Sequence, residues 1–169
     1  NNQYDQNFNT QLSGQIGENL VVAELGRRGI VATTFSGNVP DIDVLAYRNK
    51  KSIPIQVKAI KKGSLSVNAQ HYLEIEFDGN LQIVKGKNKD IDINLIFIIV
   101  KVGEYLGEDI FYICKQGLIQ ELVYNEHKRF LEKHKGIRPR NPTSTHCSYY
   151  EKDLLEYKDN WTLIEKLLW

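Results

Sequence analysis

A single α/β or α+β domain spanning residues 1–169 is what the sequence predicts, and three observations predict it. Helical apolar spacing opens the chain, short apolar runs that alternate every second residue fill its middle, and helical spacing returns in the last third. At 169 residues the chain can bury a core without disulfides or a structural metal. Its 41% hydrophobic and 25% charged content is ordinary globular usage, which argues against intrinsic disorder or a fibrous repeat.

The first helix is expected over residues 11–28, where Gly26 and Gly29 act as stop signals and Arg27 and Arg28 sit at the negative pole of the dipole. At about 100° per residue Glu18 shares a face with Val22 and Leu25, so its carboxylate points inward. Glu24 falls on the open side. Residues 1–10 are polar and read as a flexible lead-in without secretory-signal character. A strand follows at 30–35, then turn chemistry at Ser36, Gly37 and Asn38. Strands at 43–47 and 53–60 are joined by a longer hairpin loop, 48–52, with Pro54 near a strand start where a missing amide is tolerated. Further strands fit 72–77, 81–84, 94–102 and 109–113, separated by the turns FDGN and VGEYLGED.

The run LIFIIV at 95–100 is six residues, too short to span a bilayer, and reads as a buried strand. A helix is expected over 118–133. A basic loop is assigned to 127–147, overlapping that helix, with six Lys or Arg and the single acid Glu132 between 128 and 140. Ser148-Tyr149-Tyr150-Glu151 has the form of a capping box that would start a helix through about Tyr157. Trp161, Leu163, Ile164, Leu167 and Trp169 at helical spacing form core or a dimer face, so a homodimer stays open.

Several function classes lose support. Cys114 and Cys147 have no CxxC spacing, which disfavours a zinc site or a disulfide framework and fits a reduced, cytoplasmic setting. A net charge of +1 argues against coating nucleic acid by bulk charge but leaves local patches open. No membrane partner is expected. His71, His127 and His134 lack metal-ligand spacing, no Gly-rich phosphate loop occurs, and the adjacent pair His146-Cys147 reads as packing.

The chemistry concentrates in NVPDIDVLAYRNKKSIPIQVKAI, residues 38–60. Side chains two apart on a strand share a face, so Gln56 and Lys58 are neighbours while Ile55, Val57 and Ala59 face the core. The same rule pairs Asp41 with Asp43. Taken singly, the aspartates could mark a turn, Glu18 could pair with an arginine, and Gln56 and Lys58 could face solvent. Jointly, carboxylates, an amide oxygen and an ammonium at one end of a sheet suit phosphodiester hydrolysis with a divalent cation. Mg²⁺ prefers a few carboxylate oxygens plus water and phosphate oxygens, and the lysine would orient the attacking water or offset developing charge.

The order Glu18, then Pro40-Asp41-Ile42-Asp43, then Gln56-Val57-Lys58 resembles the PD-(D/E)xK nuclease superfamily, the restriction-endonuclease-like proteins, in a QxK variant. The resemblance is carried by residues 13–60. It implies a restriction-endonuclease-like core, a mixed central sheet flanked by helices, and metal-dependent endonucleolytic cleavage of DNA. It also implies a site in which Glu18, Asp43, Gln56 and Lys58 are catalytic and Asp43, Asp41, Glu18 and Gln56 surround Mg²⁺, with Mn²⁺ able to substitute. Asp43 is favoured over Asp41 as principal ligand because it stands directly before the apolar strand. Glutamine at the motif's acidic position removes one negative charge, which Glu18 would compensate. Lys61, Lys62, Lys128, Arg129, Lys133, Lys135, Arg138 and Arg140 are the candidate DNA contacts, with Lys85, Lys87 and Lys89 as further candidates. The competing reading is a catalytically inactive nuclease-like module that binds DNA or protein, and RNA cleavage on the same fold is a third.

Overall fold

The computed structural model describes residues 3–169, with side chains from Asn9 onward, so Asn1 and Asn2 of the expected lead-in lie outside the described residues. In chain order the elements are α1 (Gln3–Arg27), β1 (Val31–Val39), β2 (Ile42–Arg48), β3 (Lys51–Ile60), β4 (Ser64–Asn68), β5 (Leu73–Asp78), β6 (Leu81–Lys87), β7 (Ile96–Lys101), β8 (Ile110–Lys115), α2 (Gln116–Lys133), β9 (His146–Tyr150) and α3 (Thr162–Leu168). They divide into two compact units. One comprises the chain up to Gly63 with Leu95–Cys114 and Leu154–Trp169; the other comprises Ser64–Asn94 and Lys115–Asp153.

The first unit is a five-stranded sheet, ordered β1-β2-β3-β7-β8, with α1 and α3. Antiparallel pairing joins β1 to β2 and β2 to β3, whereas β3 runs parallel to β7 from Ile55↔Ile96 to Ile60↔Lys101, so the sheet is mixed. Val21, Leu25, Val44, Ile55, Val57, Ile98, Trp161 and Ile164 belong to one core that joins the two helices to the sheet. The helix-to-strand approach is close at Gly17, where a Cβ would lie 3.1 Å from that of Ala59. Helix α1 ends as its glycines foretell. Gly29 takes φ 77°, its amide reaches Gly26 O at 3.0 Å, and Ile30 N reaches Leu25 O at 2.9 Å, satisfying carbonyls the helix leaves open.

Local chemistry also sets the two hairpins that shape the site. Asn49 and Lys50 take φ 53° and 64° and close β2 on β3 as a two-residue turn, tighter than the five-residue loop expected. Arg48 stacks over the Trp169 ring at 3.7 Å and Asn49 Nδ2 donates to Leu168 O at 2.8 Å, which ties the turn to the end of α3. Trp161 and Ile164 are core, while Trp169 is half-exposed. Between β1 and β2 the turn is Pro40-Asp41, not Ser36–Asn38; β1 continues through those residues but loses register between Thr34 and Val39.

The second unit holds the antiparallel pair β4-β9, the hairpin β5-β6 around Gly79, and α2. Buried amides cross-link it. Gln116 Nε2 donates to Asp92 O at 2.8 Å, and Gln120 Nε2 donates to Tyr72 O and Asn88 O, each at 2.9 Å. Gln82 donates to Ser144 O at 2.9 Å and accepts from His127 Nε2 at 2.5 Å. Burial first, and then the nearby Arg138, lower the His127 imidazole to about 4.

Four expectations are corrected here. Helix α1 starts at Gln3 rather than near 11, so the lead-in is helical where it is described. Residues 127–133 are the closing turns of α2, and the basic loop is confined to residues beyond Lys133. The capping-box tetrapeptide is split: Ser148, Tyr149 and Tyr150 lie in β9, with Ser148 opposite Ser66, and short 3-10 turns replace the expected helix. Strand β4 has no counterpart among the expected strands.

Candidate active site

The register of β2 on β3 places Val44 opposite Ile55 and both in the core, so the next positions, Asp43 and Gln56, turn to the other face. The ladder stops there. The Val57 amide is taken by the Asp43 carboxylate, Oδ2 lying 2.9 Å from the nitrogen. That bond clips the start of β2 to β3 between the two motif side chains of β3. The loss of register in β1 leaves residues 35–38 opposite Asp43, so the strand edge is irregular at the site. Gly37 within a strand pattern is the sequence signal that could have announced this irregularity.

Glu18 is half-buried beside the core stripe formed by Ser13, Gly17, Val21 and Leu25, one position round from where full inward pointing would put it. Burial, and then the negative charge of Asp43, hold its carboxyl above the usual range. Two carboxylates from elements distant in sequence therefore feel each other. Gln56 and Lys58 follow strand parity: Ile55 and Val57 are buried in the core, Gln56 is half-buried and Lys58 exposed. The Gln56 Oε1 atom is buried and has no hydrogen-bond partner among the described residues. An orphaned buried acceptor costs about 1–3 kcal/mol. A hard cation is one partner that would offset that cost.

Asp41 does not share the strand face inferred from its spacing with Asp43. It stands in the turn with φ 63°, exposed, and β2 begins after it. Among the described residues no three His, Cys, Asp or Glu side chains gather closely enough to hold a metal ion.

Of the basic candidates, Lys61 and Lys62 belong to the first unit and are exposed; the other six belong to the second. Lys133, Lys135 and Arg140 are exposed. Arg129 is held by both oxygens of Glu126, Lys128 lies over the Tyr124 ring at 5.0 Å, and Lys87 pairs with Glu121. Burial pushes the Cys147 thiol up to about 11 and that of Cys114 up to about 12, so neither is a ready nucleophile.

Two solved structures are similar to this chain. A bacterial homing endonuclease, I-Ssp6803I, aligns over 93% of this chain and 93% of that chain with a TM-score of 0.53 at 12% identity. Archaeoglobus fulgidus Hjc, a Holliday junction resolvase from an archaeal hyperthermophile, aligns over 85% of this chain and 88% of that chain with a TM-score of 0.42 at 12% identity. No protein-family profile matches the chain, and no curated protein matches it significantly. The first likeness shows the fold alone: a mixed sheet flanked by helices. No described helix is long and apolar enough to cross a membrane.

Proposed function

We propose that the chain is a Mg²⁺-dependent endodeoxyribonuclease, served also by Mn²⁺, with Glu18, Asp43, Gln56 and Lys58 as its site. The orphaned Gln56 Oε1, on the strand whose Val57 amide Asp43 holds, carries this reading. Asp43, Glu18 and the Gln56 oxygen would hold the cation, with Asp41 on the neighbouring turn as a flanking acid. A bound divalent ion lowers the pKa of water and offsets charge at phosphorus. Lys58, exposed on the same face as Gln56, orients the attacking water and stabilises negative charge as the new P–O bond forms and the ester P–O bond breaks. Asp43 is fixed by the Val57 amide, so it needs little reordering to accept a ligand. Exposed Lys61, Lys62, Lys133, Lys135 and Arg140 support attraction to the DNA backbone. The homing endonuclease of the same fold supports DNA as the substrate, and the free buried cysteines support a cytoplasmic setting.

The test is nicking of supercoiled DNA with Mg²⁺ by the wild type and by Asp43→Asn. Cleavage that needs the metal and is lost in the variant supports the assignment; equal cleavage by the variant refutes it. A second reading, a nuclease-like module that binds without cutting, draws support from the amide at the acidic position. Binding without nicking in both Mg²⁺ and Mn²⁺ would establish it.

A further inference from the structure

A pocket of about 180 Å³ in the second unit is lined by Glu126 and Phe130 of α2, by Arg138, and by His146, Ser148 and Tyr150 of β9. Its volume is that of roughly six liquid waters at about 30 Å³ each. Arg138 is its fixed cation. Nη1 donates to the His146 carbonyl at 2.6 Å, and the guanidinium carbon stands 4.8 Å from the Phe130 ring centroid. These two contacts hold the planar fork without using Nε or Nη2, and Arg138 meets no carboxylate among the described residues. The acid in the wall is already neutralised, because Arg129 takes Glu126 Oε1 at 2.6 Å and Oε2 at 3.1 Å. A further cation, Lys152, lies 5.3 Å from the Tyr150 ring centroid.

The geometry points to a phosphate-oxyanion site in this pocket, bound by the free edge of the Arg138 guanidinium with the Ser148 hydroxyl and the His146 ring as further donors. A planar fork with two unused nitrogens matches two phosphate oxygens, which a lone lysine does not. The oxyanion is either free phosphate or a phosphate of a nucleic acid strand. Only the second source rests on the nuclease reading, and it separates this pocket in role from the candidate metal-binding residues of the first unit.

The full chain is tested in EDTA, so that binding is read without cleavage. In one arm, inorganic phosphate is titrated while the Arg138 Nε and His146 ring signals are followed by NMR. In the other, the affinity for a labelled DNA duplex is measured against KCl concentration. Arg138→Gln should weaken DNA binding at least about tenfold. It should also make the salt slope shallower by about 0.9, the loss of one phosphate contact, which a merely structural change would not produce. His146→Gln and Ser148→Ala, which remove neutral donors, should weaken both phosphate and DNA binding with the salt slope kept, and serve if Arg138→Gln fails to fold. Phosphate shifts without any DNA binding would assign free phosphate as the ligand and count against the nuclease reading alone. Unmoved signals, with DNA affinity unchanged in all three variants, would overturn the site.

Discussion

Gln56 in the first unit and Gln82, Gln116 and Gln120 in the second are all amides drawn out of water, yet they meet opposite fates. The three in the second unit are bonded to backbone carbonyls or to His127, and each joins segments far apart in sequence. Gln56 keeps a buried oxygen without a partner among the described residues, on the strand whose Val57 amide Asp43 holds. Satisfied amides build a unit; an unsatisfied one is the exception that the proposed site would explain.

The largest expected effect comes from Lys58→Ala, which should slow DNA nicking by about 10²–10³-fold, as loss of one charge-stabilising group does. Because Lys58 is exposed, the melting temperature should stay put. Next comes acid, to which the two units should respond with opposite sign. His127 has a folded value of about 4, below its ordinary 6.5, so the unfolded chain takes the proton first. Its contribution, up to about 3 kcal/mol, is complete above pH 6.5 and lost as pH falls towards 4. Glu18 is raised above 4.5, so its contribution is present below that value and lost as pH rises through the folded value. Glu18→Gln should therefore raise metal-free stability at neutral pH, and denaturant unfolding across pH reads both signs.

A direct contrast of the glutamines is smaller. Gln120→Leu strands two backbone carbonyls and should cost about 1–3 kcal/mol. Gln56→Leu strands none and should be neutral or stabilising without metal. Equal losses in the two unfolding curves would erase the distinction. Smallest is Gln56→Glu: a carboxylate in place of the amide should tighten divalent-ion binding at least about tenfold, or about 1.4 kcal/mol, by calorimetry.

Much of the first unit was legible because its signals are local. The glycines that end α1, the six-residue apolar run of β7 and the two-residue period of β3 each report on near neighbours. The second unit depends on distant pairing. Ser64–Asn68 is a strand because Cys147 and its neighbours lie opposite, and that same pairing overrode the capping-box pattern at Ser148. At the candidate site, alternation located Gln56 and Lys58, but failed for Asp41 because Pro40 and a positive φ put it in a turn. The Asp43 carboxylate bound to the Val57 amide, and the missing partner of Gln56, exist only once β2 and β3 are paired.

The most direct test is a Mn²⁺ titration of the isotopically labelled chain, following side-chain amide signals. The Gln56 amide and the Val57 backbone amide should broaden together as one Mn²⁺ binds, with Gln82, Gln116 and Gln120 left sharp, and Asp43→Asn should abolish the effect. A Gln56 signal as sharp as the other three, or broadening that survives Asp43→Asn unchanged, would contradict the metal seat.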